Sequence, residues 1–230
     1  MRHFIPVALL LIVAGLALAV WRGPVEVPDR WNPWAPLRIT EAPNILTPMK
    51  LSLLEADGDL CRAALASADA LAWTPLPDRP SEEGCGLTDA VRITEAEPGF
   101  GEPITATCRL AVAWALFEHH ELAPAAQEEL GTEVARIGHY GTQVCRNIAG
   151  SSRRSEHATA NALDLSSLRL ADGRTVSVAR HWEEDSPRGR FLRRIHAGAC
   201  RFFDVVLGPD YNAAHADHLH LDMGPFGTCR

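Results

Sequence analysis

Lysine is almost missing from this chain. Lys50 is the single lysine among 22 basic residues, the rest being arginine, and 29 acidic side chains leave a net charge of −7. Proteins that grip nucleic-acid phosphates carry a basic excess, so the composition excludes a nucleic-acid partner. None of the six cysteines stands in a CxxC spacing, which excludes a zinc ribbon and a thioredoxin-type redox site. No GxSxG elbow surrounds the Ser151-Ser152 pair, which argues against a serine hydrolase. There is no internal repeat and no low-complexity tract. With 47% apolar and 22% charged residues, wholesale disorder is excluded as well.

Long apolar runs are scarce too: there is one, Phe4 to Val20, and Trp21-Arg22 follow it. Its seventeen residues fall between the ~7–15 of a secretory signal and the ~20 of a membrane span. Ala17-Leu18-Ala19 offers a small-x-small cleavage pattern, whereas Trp21 and Arg22 suit an uncleaved anchor at the interface. Residues 1–22 therefore read as a signal peptide or an N-terminal membrane anchor. The expected location is the periplasm, with attachment to the inner membrane if the segment is uncleaved. Cys61, Cys85, Cys108, Cys145, Cys200 and Cys229 make an even count, as structural disulfides in an oxidising compartment require. The expected pairing is Cys61 with Cys85, Cys200 with Cys229 and, by remainder, Cys108 with Cys145.

Residues 23–50 are punctuated by six prolines and read as an extended linker, leaving 51–230 as one domain. Leucines from Leu51 to Leu71 suggest one helix, and Ala90 to Thr94 a short strand. Thr105 to Glu118 reads as a buried helix that includes Trp114 and Phe117, with Leu122 to Leu130 continuing it past a break at Pro124. Glu133 to Val144 alternates as a strand. Asn161–Leu170 and Arg174–Val178 flank the turn signal Ala171-Asp172-Gly173 as a hairpin. Pro187 to Phe203 reads as an amphipathic helix, with strands at Asp204–Leu207 and His218–Met223. Short strands and segregated helices give an α+β class: a single domain with a small central antiparallel sheet flanked by helices and stapled by disulfides.

Chemistry concentrates in two stretches. In His215-Ala216-Asp217-His218-Leu219-His220, a strand places His218, His220 and Asp222 on one face and Leu219 and Leu221 on the other. In Ser155-Glu156-His157, followed by Ala162-Leu163-Asp164-Leu165, the Asp164 carboxylate faces away from two apolar neighbours. Such an aspartate is costly to bury unless paired or bound to a cation. HxH alone arises by chance, but two histidines and an aspartate suit zinc at three positions, with a fourth open for water. His119-His120 reads as a solvated pair, and His139, His181 and His196 as surface or capping residues.

SEHATANALDL, then a hairpin, then HADHLHLD resembles the bacterial extensin-like C-terminal family. That family is similar in turn to the zinc superfamily of D-alanyl-D-alanine carboxypeptidases, lysostaphin-like endopeptidases and hedgehog-type domains. The resemblance implies a hedgehog/DD-peptidase-like fold and Zn2+ held by His157, Asp164 and His220. It implies activity on peptidoglycan, as a DD or LD carboxy- or endopeptidase. Two versions of the general base coexist: Asp217, as in the carboxypeptidases, and His218 with His215 before it, as in the endopeptidases. Arg146, eleven residues before His157, is the implied substrate-carbonyl or carboxylate contact, with Arg153 and Arg154 as substitutes. His215 and Ser155 complete the expected substrate contacts. One departure stands out: the glycine usual three residues after the first ligand is here Ala160. No motif encodes an oligomeric state.

Overall fold

The computed structural model describes residues 4–23, 27–81 and 83–230. Helix α1 (Phe4–Trp21) is the apolar N-terminal segment. No helix among the described residues is long and apolar enough to cross a membrane, and residues 1–3 of the expected signal or anchor lie outside the described chain.

The proline-punctuated stretch packs onto the domain. Leu37 and Ile39 are buried in the core. The Ile39 amide donates to Ser67 Oγ at 2.9 Å, and His120 Nε2 donates to the Ile39 carbonyl at 2.7 Å. Lys50 is buried at 4% exposure and donates through Nζ to the Asp29 carbonyl at 2.7 Å. That bond satisfies a cation which burial would otherwise leave unpaired.

The single leucine-rich helix expected over 51–71 is two helices and the start of a strand. Helix α2 (Thr47–Leu53) and α3 (Gly58–Leu65) are separated because Asp57 leaves the helix and accepts from the Leu60 amide at 2.9 Å, capping α3. Strands β1 (Leu71–Pro75), β2 (Ala90–Ala96) and β3 (Ile104–Thr107) form an antiparallel sheet in that order. Thr107 then caps α4 (Cys108–Phe117), every residue of which is buried apart from Arg109. A helix apolar all round belongs inside. Its continuation does not break at Pro124. A π-helical turn (Glu118–Leu122) leads directly into α5 (Ala123–Leu130), and Pro124 sits in the first turn of α5, where its missing N–H is tolerated.

The second sheet carries the polar clusters. Strand β4 (Val134–His139) is shorter than expected, and residues 140–155 form a loop instead. Strand β5 (Ala162–Leu170) pairs with β4 on one side, and on the other with β6 (Thr175–Ser177), to which it turns at Gly173 with φ 87°. After α6 (Val178–His181) and α7 (Pro187–Ala199), which packs on α5, come β7 (Val205–Leu207), β8 (Leu219–Asp222) and β9 (Thr228–Cys229). The order is β4-β5-β8-β7-β9, antiparallel except between β7 and β9. One continuous core joins both sheets through α4 and α7.

Two of the three expected disulfides are corrected. Cys200 pairs with Cys229 as expected, but Cys61 pairs with Cys108 and Cys85 with Cys145. Burial explains the change: Cys61 and Cys108 meet inside the core where α3 packs on α4, while Cys85 and Cys145 lie on two surface loops. Three closed disulfides belong to an oxidising, extracytoplasmic compartment.

Candidate metal centre

The site is built by strand register. In the β5/β8 ladder Asp164 lies opposite His220 and Ala162 opposite Asp222, while Leu163 and Leu165 face Leu221 and Leu219. The leucines of both strands are buried in the core, so alternation aims Asp164, His220 and Asp222 to the other face. His157 arrives on a single 3-10 turn (Glu156–Thr159), whose N-cap, Ser155, accepts from the His157 amide at 3.4 Å.

Ala160 ends that turn in the left-handed region, at φ 58°. This is the conformation a glycine would adopt freely, and here a buried alanine takes it. Asn161 stitches the turn in place. Its amide nitrogen donates to Glu156 Oε2 at 2.7 Å, its side-chain oxygen accepts from Thr107 Oγ1 at 2.8 Å, and its carbonyl accepts from the Met223 amide at 3.2 Å. A Cβ on Gly224 would come within 2.8 Å of the Glu156 carboxylate, so the chain leaving β8 passes the turn closely.

Ligand atoms of His157, Asp164 and His220 all lie within 4.8 Å of one another. His157 Nε2 is 3.1 Å from Asp164 Oδ2 and 3.3 Å from His220 Nδ1, and His220 Nδ1 is 2.8 Å from Asp164 Oδ1. The far ring nitrogens set the tautomers. His157 Nδ1 meets the Thr142 carbonyl at 3.3 Å, and His220 Nε2 meets Asp222 Oδ2 at 2.8 Å. Both partners only accept, so in the neutral rings His157 Nε2 and His220 Nδ1 turn lone pairs toward Asp164.

Two lone pairs and a carboxylate around one point call for a positive charge. Burial disfavours the charged form of His220, but Asp164 and Asp222 outweigh it and push its pKa up to about 9. Burial likewise acts against ionised Asp164, and His157 and His220 outweigh it, holding the carboxyl well below the usual range. The donor set fits zinc: bonds of about 2.0–2.1 Å to a tetrahedral ion imply ligand separations of about 3.4 Å, close to those seen. Nδ1 of His157 on a carbonyl and Nε2 of His220 on a carboxylate are the outer contacts that fix metal-binding imidazoles.

His218 borders this cluster, its Nε2 3.5 Å from Asp164 Oδ1 and its Nδ1 donating to Asp217 Oδ1 at 2.8 Å. Asp217 is held below the ordinary carboxylate range first by His218 and then by the Tyr140 hydroxyl, with burial opposing. The His215 ring packs 5.3 Å from that of His218 and 5.8 Å from that of His220. Burial, then the neighbouring His220 and His218, push its pKa down to about 4, and Arg146 adds to the effect.

The arginines diverge. Arg146 is exposed on the 140–155 loop, near enough for its charge to act on His215. Arg153 stacks over the Phe226 ring at 4.2 Å. Arg154 is tied to the Glu83 carbonyl and Asn147 Oδ1, at 2.7 and 2.8 Å, and is not gathered with the histidines. Ser155 is buried and engaged with the backbone of its own turn. Sequence reasoning put Asp222 on the ligand face without assigning it a role; its signal is the two-residue step after His220. Thr142, Asn161 and Tyr140 carried no such signal, because what they touch depends on tertiary placement.

Residues 59–230 match the family described as Extensin-like protein C-terminus. No curated protein and no solved structure matches the chain.

Proposed function

Because the chain belongs to the extensin-like C-terminal family and gathers two histidines and an aspartate around one point, we propose that it is a zinc-dependent peptidase of the cell envelope. Its substrate would be the stem peptides or cross-links of peptidoglycan, and its place of action the periplasm, free or at the inner membrane. The observation that carries this reading is the convergence of His157 Nε2, His220 Nδ1 and the Asp164 carboxylate on one point, with the far ring nitrogens engaged by the Thr142 carbonyl and Asp222. Zinc held there supplies Lewis acidity toward a carbonyl oxygen and lowers the pKa of a bound water to about 7.

The chain's own residues divide the remaining work. In the neutral ring, donation through His218 Nδ1 to Asp217 turns the Nε2 lone pair toward the ligand cluster. That arrangement favours His218 as the general base and Asp217 as the carboxylate that orients it. His215, kept neutral by burial and its histidine neighbours, adds a ring beside them without adding charge. Arg146 on the rim suits an acidic substrate, so attraction of that substrate is local in a chain of net charge −7.

The test is incubation of the disulfide-intact protein, zinc-loaded or chelated, with purified peptidoglycan, and mass spectrometry of the soluble products. Zinc-dependent stem-peptide fragments are expected, and they name the bond. Asp164→Ala is expected to lose both zinc and hydrolysis; full retention of the two would sink the proposal. Retention on sacculi by zinc-loaded protein that releases no peptide would favour a non-catalytic peptidoglycan-binding domain instead.

A further inference from the structure

Tyr140 has no place in the ligand set, yet its contacts converge on the group that faces it. It directly follows β4, and its amide donates to the Asp164 carbonyl at 2.9 Å, which fixes it beside the strand that carries the ligand. Its hydroxyl donates to Asp217 Oδ2 at 3.1 Å. Its ring meets that of His218 edge-on, 5.6 Å between centroids and 76° between planes. Asp217 is thus bonded on both oxygens, Oδ1 by His218 and Oδ2 by Tyr140.

We propose that Tyr140 is a positioning residue: by holding Asp217 it keeps the proton of His218 on Nδ1 and turns Nε2 toward the ligand cluster. This rests on the peptidase reading for its catalytic consequence but not for its structural one. Asp217 needs such a hold. Its side chain is 50% exposed, and it lies between the 3-10 turn Ala213–His215 and β8, outside any regular element. A half-exposed carboxylate there would exchange the imidazole for water unless a second donor fixed its plane. The Tyr140 side chain, itself largely exposed, buries little surface, so core packing does not account for its placement.

Tyr140→Phe removes only the hydroxyl and keeps the ring on His218. Losing the one hydrogen bond by which Tyr140 steadies Asp217 is expected to lower kcat about 10-fold while KM stays within about 2-fold. Independently of turnover, imidazole nitrogen shifts at mildly alkaline pH, assigned by comparison with His218→Gln, are expected to show a smaller Nδ1–H tautomer fraction for His218. In an Asp217→Asn background the Tyr140→Phe effect is expected to vanish, because the two act in series. An unchanged His218 tautomer, or a Tyr140→Phe effect that persists in full beside Asp217→Asn, overturns the proposal. A wild-type protein without hydrolysis overturns the peptidase reading alone, and the tautomer measurement then still decides the role of Tyr140.

Discussion

At Ala160 the turn that presents His157 reaches φ 58°, where an L side chain costs roughly 1–2 kcal/mol. Ala160→Gly relieves that strain but removes a buried methyl worth about 0.8 kcal/mol and loosens the unfolded chain by about 0.5–1 kcal/mol. The opposing effects leave the variant within about 1 kcal/mol of wild type in urea unfolding. Ala160→Val, β-branched in the same conformation and packed against Leu87 and Ala90, is expected to lose more than about 2 kcal/mol. At this scale alternation in Ala162–Leu165 and Leu219–Asp222 tells that Asp164, His220 and Asp222 share a face, whereas His157, on its 3-10 turn, was assigned as a ligand only through the family resemblance. Tyr140 and Thr142 were not legible. What brings them to the site is the β4/β5 pairing and the path of the loop after it, and neither leaves a local pattern.

Between elements, sequence patterns reveal what each segment is more readily than what it touches. The β5–β6 hairpin was readable from Ala171-Asp172-Gly173, whereas Pro124 misled because a π-helical turn ahead of it absorbs the lost hydrogen bond. That turn carries Glu118, whose pKa burial raises from 4.5 to about 7, beside a groove of about 650 Å3 that Glu97, His119 and Glu133 also line. Between those two values the folded chain keeps a proton that the unfolded chain has lost. Stability therefore falls as pH rises from 4.5 to about 7 and levels off above. Glu118→Gln is expected to remove this slope, raising the urea midpoint at pH 8 and leaving it unchanged at pH 4. The disulfide between Cys85 and Cys145 ties the 140–155 loop, whose Thr142 carbonyl and Val144 amide both bond to His157. Replacing both cysteines by serine is expected to cost about 2–4 kcal/mol without unfolding the chain. On the proposed zinc reading, affinity for the ion, read by chelator competition, should fall about 10-fold as His157 loses support.

Across the whole molecule, the α+β class was readable because helical and strand periods occupy separate stretches of the sequence. The division into two sheets was not, since the alternation within a strand does not say which strand it pairs with. Cysteine spacing likewise gave the number of bridges but only one pairing, because Cys61 and Cys108 meet in the core and leave Cys85 and Cys145 to join two surface loops. Composition left open whether the stretch before Leu51 docks on the domain. Six prolines suggest open chain, yet Leu37, Ile39 and Lys50 are inserted into the domain. Lys50 has one further consequence. It is the only lysine in the sequence, and its amine is shut against the Asp29 carbonyl. A reagent that acylates amines thus has a single side-chain target, reachable only when this N-terminal strap lifts, and the rate of its reaction at Lys50 becomes a clock for that opening.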